Sequence, residues 1–140
     1  MIYEHKVQYY ETDQMKIVHH SNYIRWFEEA RTAWMEEGGF GYAKMEEAGI
    51  ISPVLEVDAK YKSMTHYGDV VLVEAAVEKY NGVRLEVSYK ISDKKTGEIR
   101  CTGFSKHCFL DSSGRPVKLG KLAPKADEMF QEFFRNTHSR

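Results

Sequence analysis

The chain has 140 residues, of which 42% are hydrophobic, 13% aromatic and 29% charged, with a formal net charge of −1. These values predict one folded domain over residues 1–140 and argue against a disordered chain. The balanced charge gives no general attraction to nucleic acid or to an anionic membrane, and no run of about 18 apolar residues is present to span a bilayer. With two cysteines, Cys101 and Cys108, and no leader-like pattern at the N-terminus, we expect a reduced, cytoplasmic protein.

The first part of the chain predicts a strand, a polar loop and a long amphipathic helix. β-favouring residues over 2–10 indicate the strand, and residues 11–20 show no helical period. Over 22–37 large apolar residues recur at helical spacing until Gly38-Gly39 ends the helix. The predicted apolar stripe consists of Tyr23, Trp26, Phe27, Ala30, Ala33 and Trp34, and the predicted polar face of Arg25, Glu28, Glu29, Arg31 and Glu36.

The rest of the chain predicts mainly strands. A short helix over 42–48 ends at Gly49, and the extended segment 50–61 contains Pro53, which favours an edge strand or a bulge. Long strands are predicted over 70–80, 83–91 and 98–110, with a hairpin turn at Asn81-Gly82 and a final helix from Pro124. A helix followed by a run of antiparallel strands predicts an α+β fold, in which a sheet covers the aromatic stripe.

The stretch that joins the first strand to the long helix holds the candidate functional residues. Asp13 precedes His19 and His20, and Ser21 and Asn22 are residue types that begin helices. Free N–H groups and the positive end of the helix dipole meet at such a start, which suits an anion or a developing oxyanion. From the residues alone, an Asx turn is the simpler interpretation of Asp13.

Residues 9–31 resemble the acyl-CoA thioesterases of the 4-hydroxybenzoyl-CoA thioesterase / YbgC-like group. The resemblance lies in the pattern Tyr9-x-x-Thr12-Asp13-x-x-x-x-Val18-x-His20-x-Asn22-Tyr23-x-x-Trp26-x-Glu28-x-Ala30-Arg31. Residues 56–63 and the following Tyr67-Gly68-Asp69 also resemble that group, and the likeness extends over nearly the whole chain. The resemblance implies the hot-dog fold, in which a curved antiparallel sheet wraps one long helix.

The same resemblance implies the hydrolysis of acyl-CoA to free acid and CoA. Asp13 then attacks the thioester carbonyl or activates a water that does so, and the main-chain N–H of His20 is the oxyanion donor. A thiolate, with a pKa near 8.5 for cysteine, leaves without much acid help, so one carboxylate and an oxyanion site suffice. We expect no cofactor beyond the coenzyme A of the substrate.

Several further residues are candidates for substrate contact. Tyr23 and Trp26 fit the helix core, and a residue at the first helical turn, such as Tyr23, is able to line the acyl site as well. Lys60 and Lys62 share one face of a strand, which is either solvated or in contact with the phosphates of coenzyme A. His19 stands where related proteins often have Tyr or Trp, which affects the shape of the acyl pocket.

We expect no metal site, because adjacent residues such as His19 and His20 rarely bind one ion and the pair Cys101 and His107 is too widely spaced. An exposed strand edge and the resemblance together predict a homodimer or homotetramer with sites at the subunit interface. Two alternatives to hydrolysis stay open: a non-catalytic acyl-CoA-binding module, and a hydroxyacyl-thioester dehydratase that uses His20. The acyl group and the pathway are not specified by the sequence.

Overall fold

A single antiparallel sheet carries the fold in the computed structural model, which describes residues 1–139. The strands are β1 (Ile2–Lys6), β2 (Val54–Tyr61), β3 (Val70–Tyr80), β4 (Arg84–Asp93) and β5 (Ile99–Cys108). The helices are α1 (Ser21–Glu37), α2 (Tyr42–Glu47), α3 (Leu119–Leu122) and α4 (Pro124–His138). The five strands lie in the order β1-β3-β4-β5-β2, and each neighbouring pair is antiparallel. The predicted α+β class is confirmed.

The aromatic stripe of α1 is buried against this sheet, as predicted. Trp26, Phe27 and Ala30 are almost completely buried, and the Phe27 ring stacks on the Tyr89 ring at 4.4 Å between centroids. Each buried aromatic contributes about 1.5–3 kcal/mol, so the stripe determines how α1 lies on the sheet. At the far end of α1, Trp34 packs edge-on against Phe133 of α4 at 4.6 Å. Since α4 covers that end, the N-terminus of α1 faces the loops at the other end of the sheet.

The first predicted strand is too long. β1 ends at Lys6, and Tyr9–Glu11 form a short 3₁₀ helix instead of continuing the strand to residue 10. The main-chain N–H of Gln8 donates to Glu11 Oε1 at 2.7 Å, and the N–H of Glu11 donates to the Gln8 carbonyl at 3.0 Å. These local bonds replace the strand ladder and turn the chain toward α1.

Arg31 is buried, which corrects its predicted place on the polar face of α1. Its Nε donates to the Tyr42 hydroxyl and its Nη1 to the Tyr89 hydroxyl, both at 2.9 Å. The Tyr89 hydroxyl lies 2.6 Å from Ser105 Oγ, which lies 2.7 Å from His107 Nε2. Hydroxyl groups from α2 and the sheet therefore solvate a guanidinium that the helical pattern alone places outside.

β2 is an edge strand, as Pro53 predicted. Among residues 1–139 it pairs with β5 alone, and its register shifts between Val54 and Glu56. Its other edge is free. No helix in the described part of the chain is long and apolar enough to cross a membrane.

Gly103 in β5 tests the packing of α1 on the sheet. A Cβ at this position would lie 2.2 Å from the main-chain oxygen of Asp58 and 2.7 Å from the Phe27 ring. We expect Gly103→Ala to lower the free energy of unfolding by about 2–3 kcal/mol, because the Asp58 carbonyl belongs to the sheet and cannot move freely. Urea unfolding measures the loss, and Gly120→Ala, whose Cβ meets the Asp127 carboxylate at 3.2 Å, should stay close to the parent protein. Equal stability of the two variants would contradict this packing.

His107 makes stability depend on pH. Burial, assisted by the positive charge of Arg31, lowers the pKa of His107 to about 4 from its ordinary value of 6.5. Between these two values the unfolded chain binds a proton that the folded chain does not bind. The free energy of unfolding therefore falls as the pH drops through this window, by about 2 kcal/mol at pH 5, and this contribution is constant above the window.

The measurement is urea unfolding at pH 7 and pH 5. Stability of the parent protein should fall between these two pH values by about 2 kcal/mol more than that of His107→Asn. His66→Asn, a change at an exposed histidine, should keep the parent slope. An unchanged slope in His107→Asn would refute the assignment to His107.

Candidate active site

The loop that carries Asp13 is a tight hairpin. The N–H of Asp13 donates to the Ile17 carbonyl at 2.9 Å, and the N–H of Lys16 donates to the Asp13 carbonyl at 3.0 Å. Lys16 has a φ of 66°, the left-handed conformation that such a turn requires. On its outer side the N–H of Val18 donates to the Thr65 carbonyl at 2.8 Å. The hairpin is thus held by its own main-chain hydrogen bonds and by a bond to the loop that precedes β3.

Asp13 itself is half-buried, and its two carboxylate oxygens differ. Oδ1 accepts the N–H of Met15 at 2.8 Å, which is the Asx turn that the residue type suggests. Oδ2 makes no hydrogen bond to any other residue within 1–139. The turn therefore fixes the carboxyl group while one oxygen stays available for a ligand.

The helix α1 starts one residue earlier than expected, at Ser21, and His20 occupies the N-cap position. Neither Ser21 nor Asn22 caps the helix, which corrects that part of the prediction. Instead the His19 ring lies against the first turn, with Nδ1 2.9 Å from Ser21 Oγ and 3.3 Å from the Ser21 N–H. The main-chain N–H of His20 has no hydrogen-bond partner among the described residues, so a donor is free at the positive end of the helix.

Glu11, two residues before Asp13, is the principal site residue that the sequence reasoning missed. Its side chain is buried and accepts His5 Nε2 at 2.8 Å, the Gln8 N–H at 2.7 Å and Trp26 Nε1 at 2.7 Å. Burial acts to raise the pKa of Glu11, but these hydrogen bonds outweigh it and hold the pKa below its ordinary value. Glu11 lies within the motif that carries the family resemblance, but its contacts become known only when the structure places His5 and Trp26 beside it.

Aromatic rings line the start of α1. The rings of His19 and His20 lie 4.2 Å apart, and the Tyr61 ring lies 6.2 Å from His20 and 5.3 Å from Tyr23. The Tyr61 hydroxyl donates to the His20 carbonyl at 3.2 Å, which ties the end of β2 to the helix start. Tyr23 contacts Trp26 at 5.1 Å, and Trp26 has no exposed surface in the single chain. Trp26 therefore lies behind this surface, in contact with Tyr23 and hydrogen-bonded to Glu11.

The structure separates the two candidate lysines from these rings. Tyr61 pairs with Cys101, a core residue, and so points to the helix side of the sheet, whereas Lys60 pairs with Thr102 and points to the opposite side. Lys62 follows the end of β2, where its N–H donates to the Arg100 carbonyl at 2.8 Å. Both lysines are exposed near the end of the strand that reaches the helix start.

Five cavities of the single chain, of about 550, 530, 420, 620 and 270 Å³, are lined by neither Asp13 nor His20. In residues 1–139 no three His, Cys, Asp or Glu side chains are grouped to hold a metal ion. The candidate site is formed by the Asp13 hairpin, the first turn of α1 and the end of β2, where His20 and Tyr61 are exposed and Asp13 is half-buried.

A long helix packed across a five-stranded antiparallel sheet is the architecture of the hot-dog fold. A model of the Thioesterase-like superfamily matches residues 7–134, and the chain belongs to that superfamily. The fold, the family resemblance and the enzyme class predicted from the sequence are confirmed.

Individual relatives agree with this assignment. The chain is 39% identical over 122 residues to a Bacillus subtilis protein named "Putative acyl-CoA thioesterase YneP", covering 86% of this chain and 88% of the relative. The crystal structure of DHNA-CoA thioesterase from Staphylococcus aureus is similar, with a TM-score of 0.91 and 35% identity over 99% of this chain and 94% of that chain. A crystal structure of a hypothetical protein from Aquifex aeolicus has a TM-score of 0.83 and 34% identity over 90% and 98% of the two chains.

Proposed function

We propose that the protein hydrolyses acyl-CoA thioesters to free acid and CoA, with Asp13 as nucleophile or general base. The observation that carries this proposal is the pairing of a fixed carboxylate, whose Oδ2 is available, with a free main-chain N–H of His20 at a helix start. The two groups are linked by one hairpin. The Asp13 N–H donates to the Ile17 carbonyl and the His19 N–H to the Glu11 carbonyl, both at 2.9 Å, and His20 directly follows. The names of the relatives support the substrate class.

In the proposed reaction the ionised Asp13 attacks the thioester carbonyl carbon, or takes a proton from a water that attacks it. The carbonyl oxygen becomes an oxyanion, and the His20 N–H and the positive end of α1 stabilise its charge. The C–S bond then breaks and CoA leaves as a thiolate, which needs little protonation. In direct attack the resulting anhydride on Asp13 is cleaved by water, whereas in base catalysis the free acid forms at once. In other enzymes one such donor contributes about 3–4 kcal/mol.

We further propose an aromatic acyl group. The His19 and His20 rings, inclined by 30° to each other, and the Tyr61 ring, edge-on to His20 at 77°, form an aromatic cluster beside the helix start, which offers ring faces and edges to a planar acyl group. The Staphylococcus aureus relative is named as a DHNA-CoA thioesterase, and this name also supports an aromatic acyl group. Tyr23 is only 4% exposed and supports the acyl side from the core by packing against Tyr61 and Trp26, and Lys60 and Lys62 supply cations for the phosphates of coenzyme A. The reaction requires no resident cofactor or metal.

The proposed enzyme is a homodimer or homotetramer and acts in the cytoplasm, where buried thiols such as Cys101 and Cys108 stay reduced. The free edge of β2 supports the assembly, because an unpaired edge offers main-chain hydrogen bonds to a second sheet. Apolar side chains accompany that edge: Val54, Leu55 and Val57 are 51%, 47% and 40% exposed. An interface there would also enclose the end of β2, and with it the Tyr61 side of the site.

Replacement of Asp13 by Asn tests the catalytic proposal. We expect Asp13→Asn to lower kcat for thiol release at least about 100-fold, because the amide neither attacks nor accepts a proton, while the Met15 N–H keeps its acceptor. A chromogenic thiol assay over short, long and aromatic acyl-CoAs gives the rates and the acyl preference. The matched control is Asp111→Asn, since Asp111 Oδ1 forms a similar turn with the Ser113 N–H at 2.9 Å.

The outcomes of this assay separate the candidate functions. A folded Asp13→Asn variant that releases thiol at the parent rate would refute the role of Asp13. Tight CoA binding without thiol release by the parent protein would indicate a binding module. Loss of water from a hydroxyacyl thioester, again without thiol release, would indicate a dehydratase.

The proposed assembly predicts a sedimentation mass of at least two 16.3 kDa chains at micromolar concentration. Val57→Lys should shift this mass toward the monomer, because the charge would be buried in the interface along β2. Ile2→Lys, the same kind of change on the other edge strand, should leave the mass unchanged. Analytical ultracentrifugation of the three proteins decides, and a monomeric parent protein would contradict the assembly.

A further inference from the structure

We propose that Glu11 is a positioning residue that holds the Asp13 hairpin against the start of α1 and thereby sets the rate of hydrolysis. This inference rests on the proposed role of Asp13, and it adds to that role the group that keeps Asp13 in place. Glu11 touches neither Asp13 nor His20 through its side chain. It acts through the segments that carry them.

The Glu11 side chain joins three separate segments of the fold. His5 comes from β1, Gln8 directly precedes the 3₁₀ helix and Trp26 lies in the second turn of α1, and each donates to one carboxylate oxygen at 2.7–2.8 Å. A buried carboxylate that accepts three donors is strongly held, because charge-assisted hydrogen bonds are shorter and stronger than neutral ones. The carboxylate therefore fixes the main chain two residues before Asp13 relative to the helix.

The main chain of Glu11 makes the complementary connection. Its carbonyl accepts the N–H of His19 and the side-chain amide of Asn22, both at 2.9 Å. His19 directly precedes the proposed oxyanion donor, and Asn22 lies in the first turn of α1. Glu11 thus begins the Asp13 hairpin and is bonded to His19, which ends it, so a shift of Glu11 would move the acid and the donor relative to each other.

The other charged and titratable groups near Glu11 do not take part in this connection. Glu29 of α1 lies 3.8 Å from His5 Nδ1, and its side chain is 44% exposed. Tyr3 of β1 interacts with Glu29 and with the charge of Glu11. Neither Glu29 nor Tyr3 is bonded to the hairpin, so Glu29 offers a control of the same chemical type close to the same histidine.

Glu11→Gln is the first test. The amide presents one oxygen and one NH₂ group, so at least one of the donors from His5, Gln8 or Trp26 faces another donor. A displacement of about 1 Å at a reacting group costs about 100-fold in rate, and we expect kcat to fall at least about tenfold with KM changed less than about twofold. Glu29→Gln should keep both constants near those of the parent. Circular dichroism and sedimentation verify that both variants are folded and assembled.

A double variant separates positioning from general destabilisation. If Glu11 acts through Asp13, the rate of Asp13→Asn combined with Glu11→Gln should equal that of Asp13→Asn alone, since there is no longer an acid to place. If Glu11 only stabilises the fold, its effect should multiply that of Asp13→Asn. Should Glu11→Gln fail to fold, Glu11→Asp replaces it in both comparisons, because it keeps the charge and withdraws the carboxylate by one methylene.

The results also distinguish this inference from the proposed function. A parent-like kcat in folded Glu11→Gln, together with an inactive Asp13→Asn, would overturn the role of Glu11 and leave that of Asp13. Independent, multiplicative effects of the two substitutions would overturn it as well. A parent-like rate in Asp13→Asn would instead overturn the proposed function itself.

Discussion

Burial of the aromatic stripe of α1 against one face of the sheet is the constraint on which the other features depend. Once Trp26 and Phe27 are fully buried, the rotation of the helix and its position along the sheet are fixed. The first turn then lies beside the end of β2 and the loop before β3, as the bonds from Tyr61 to the His20 carbonyl and from Tyr23 to Thr65 show. The position of the free His20 N–H therefore depends on packing that begins at Tyr23, in the first turn of the helix.

Two ionisable side chains inside this core show how the fold accepts charge. Arg31 is surrounded by hydroxyl groups, whereas Glu11 is surrounded by N–H donors, and each draws its partners from more than one element of the fold. Such groups are costly to bury unless every partner is in place, so they select one arrangement of the elements that carry the partners. The apolar stripe brings the helix to the sheet, and the polar networks specify its register there.

Much of the architecture is predictable from local patterns. The alternation in β3, β4 and β5, the Asn81-Gly82 turn and the stripe of α1 each follow from residues close in sequence. The burial of Arg31 does not, because it depends on partners such as Tyr89 that are distant in the chain. The 3₁₀ helix after β1 is held by local bonds, but it lies among β-favouring residues that predict a strand. For the candidate site, the motif identifies Asp13 and His20, whereas Glu11 and Tyr61 are recognised only when their distant contacts are known. The side of the sheet on which Lys60 lies likewise follows from pairing with β5, not from the sequence of β2.

Tyr61 belongs to two parts of the molecule at once. Its main chain ends an edge strand that is open to pairing, while its hydroxyl group holds the carbonyl at the entrance of α1. In the proposed assembly, subunit pairing and the candidate site therefore depend on the same residue, and selection on either property also acts on the other. Substitutions along the β2 edge are for that reason more constrained than the exposure of its residues suggests.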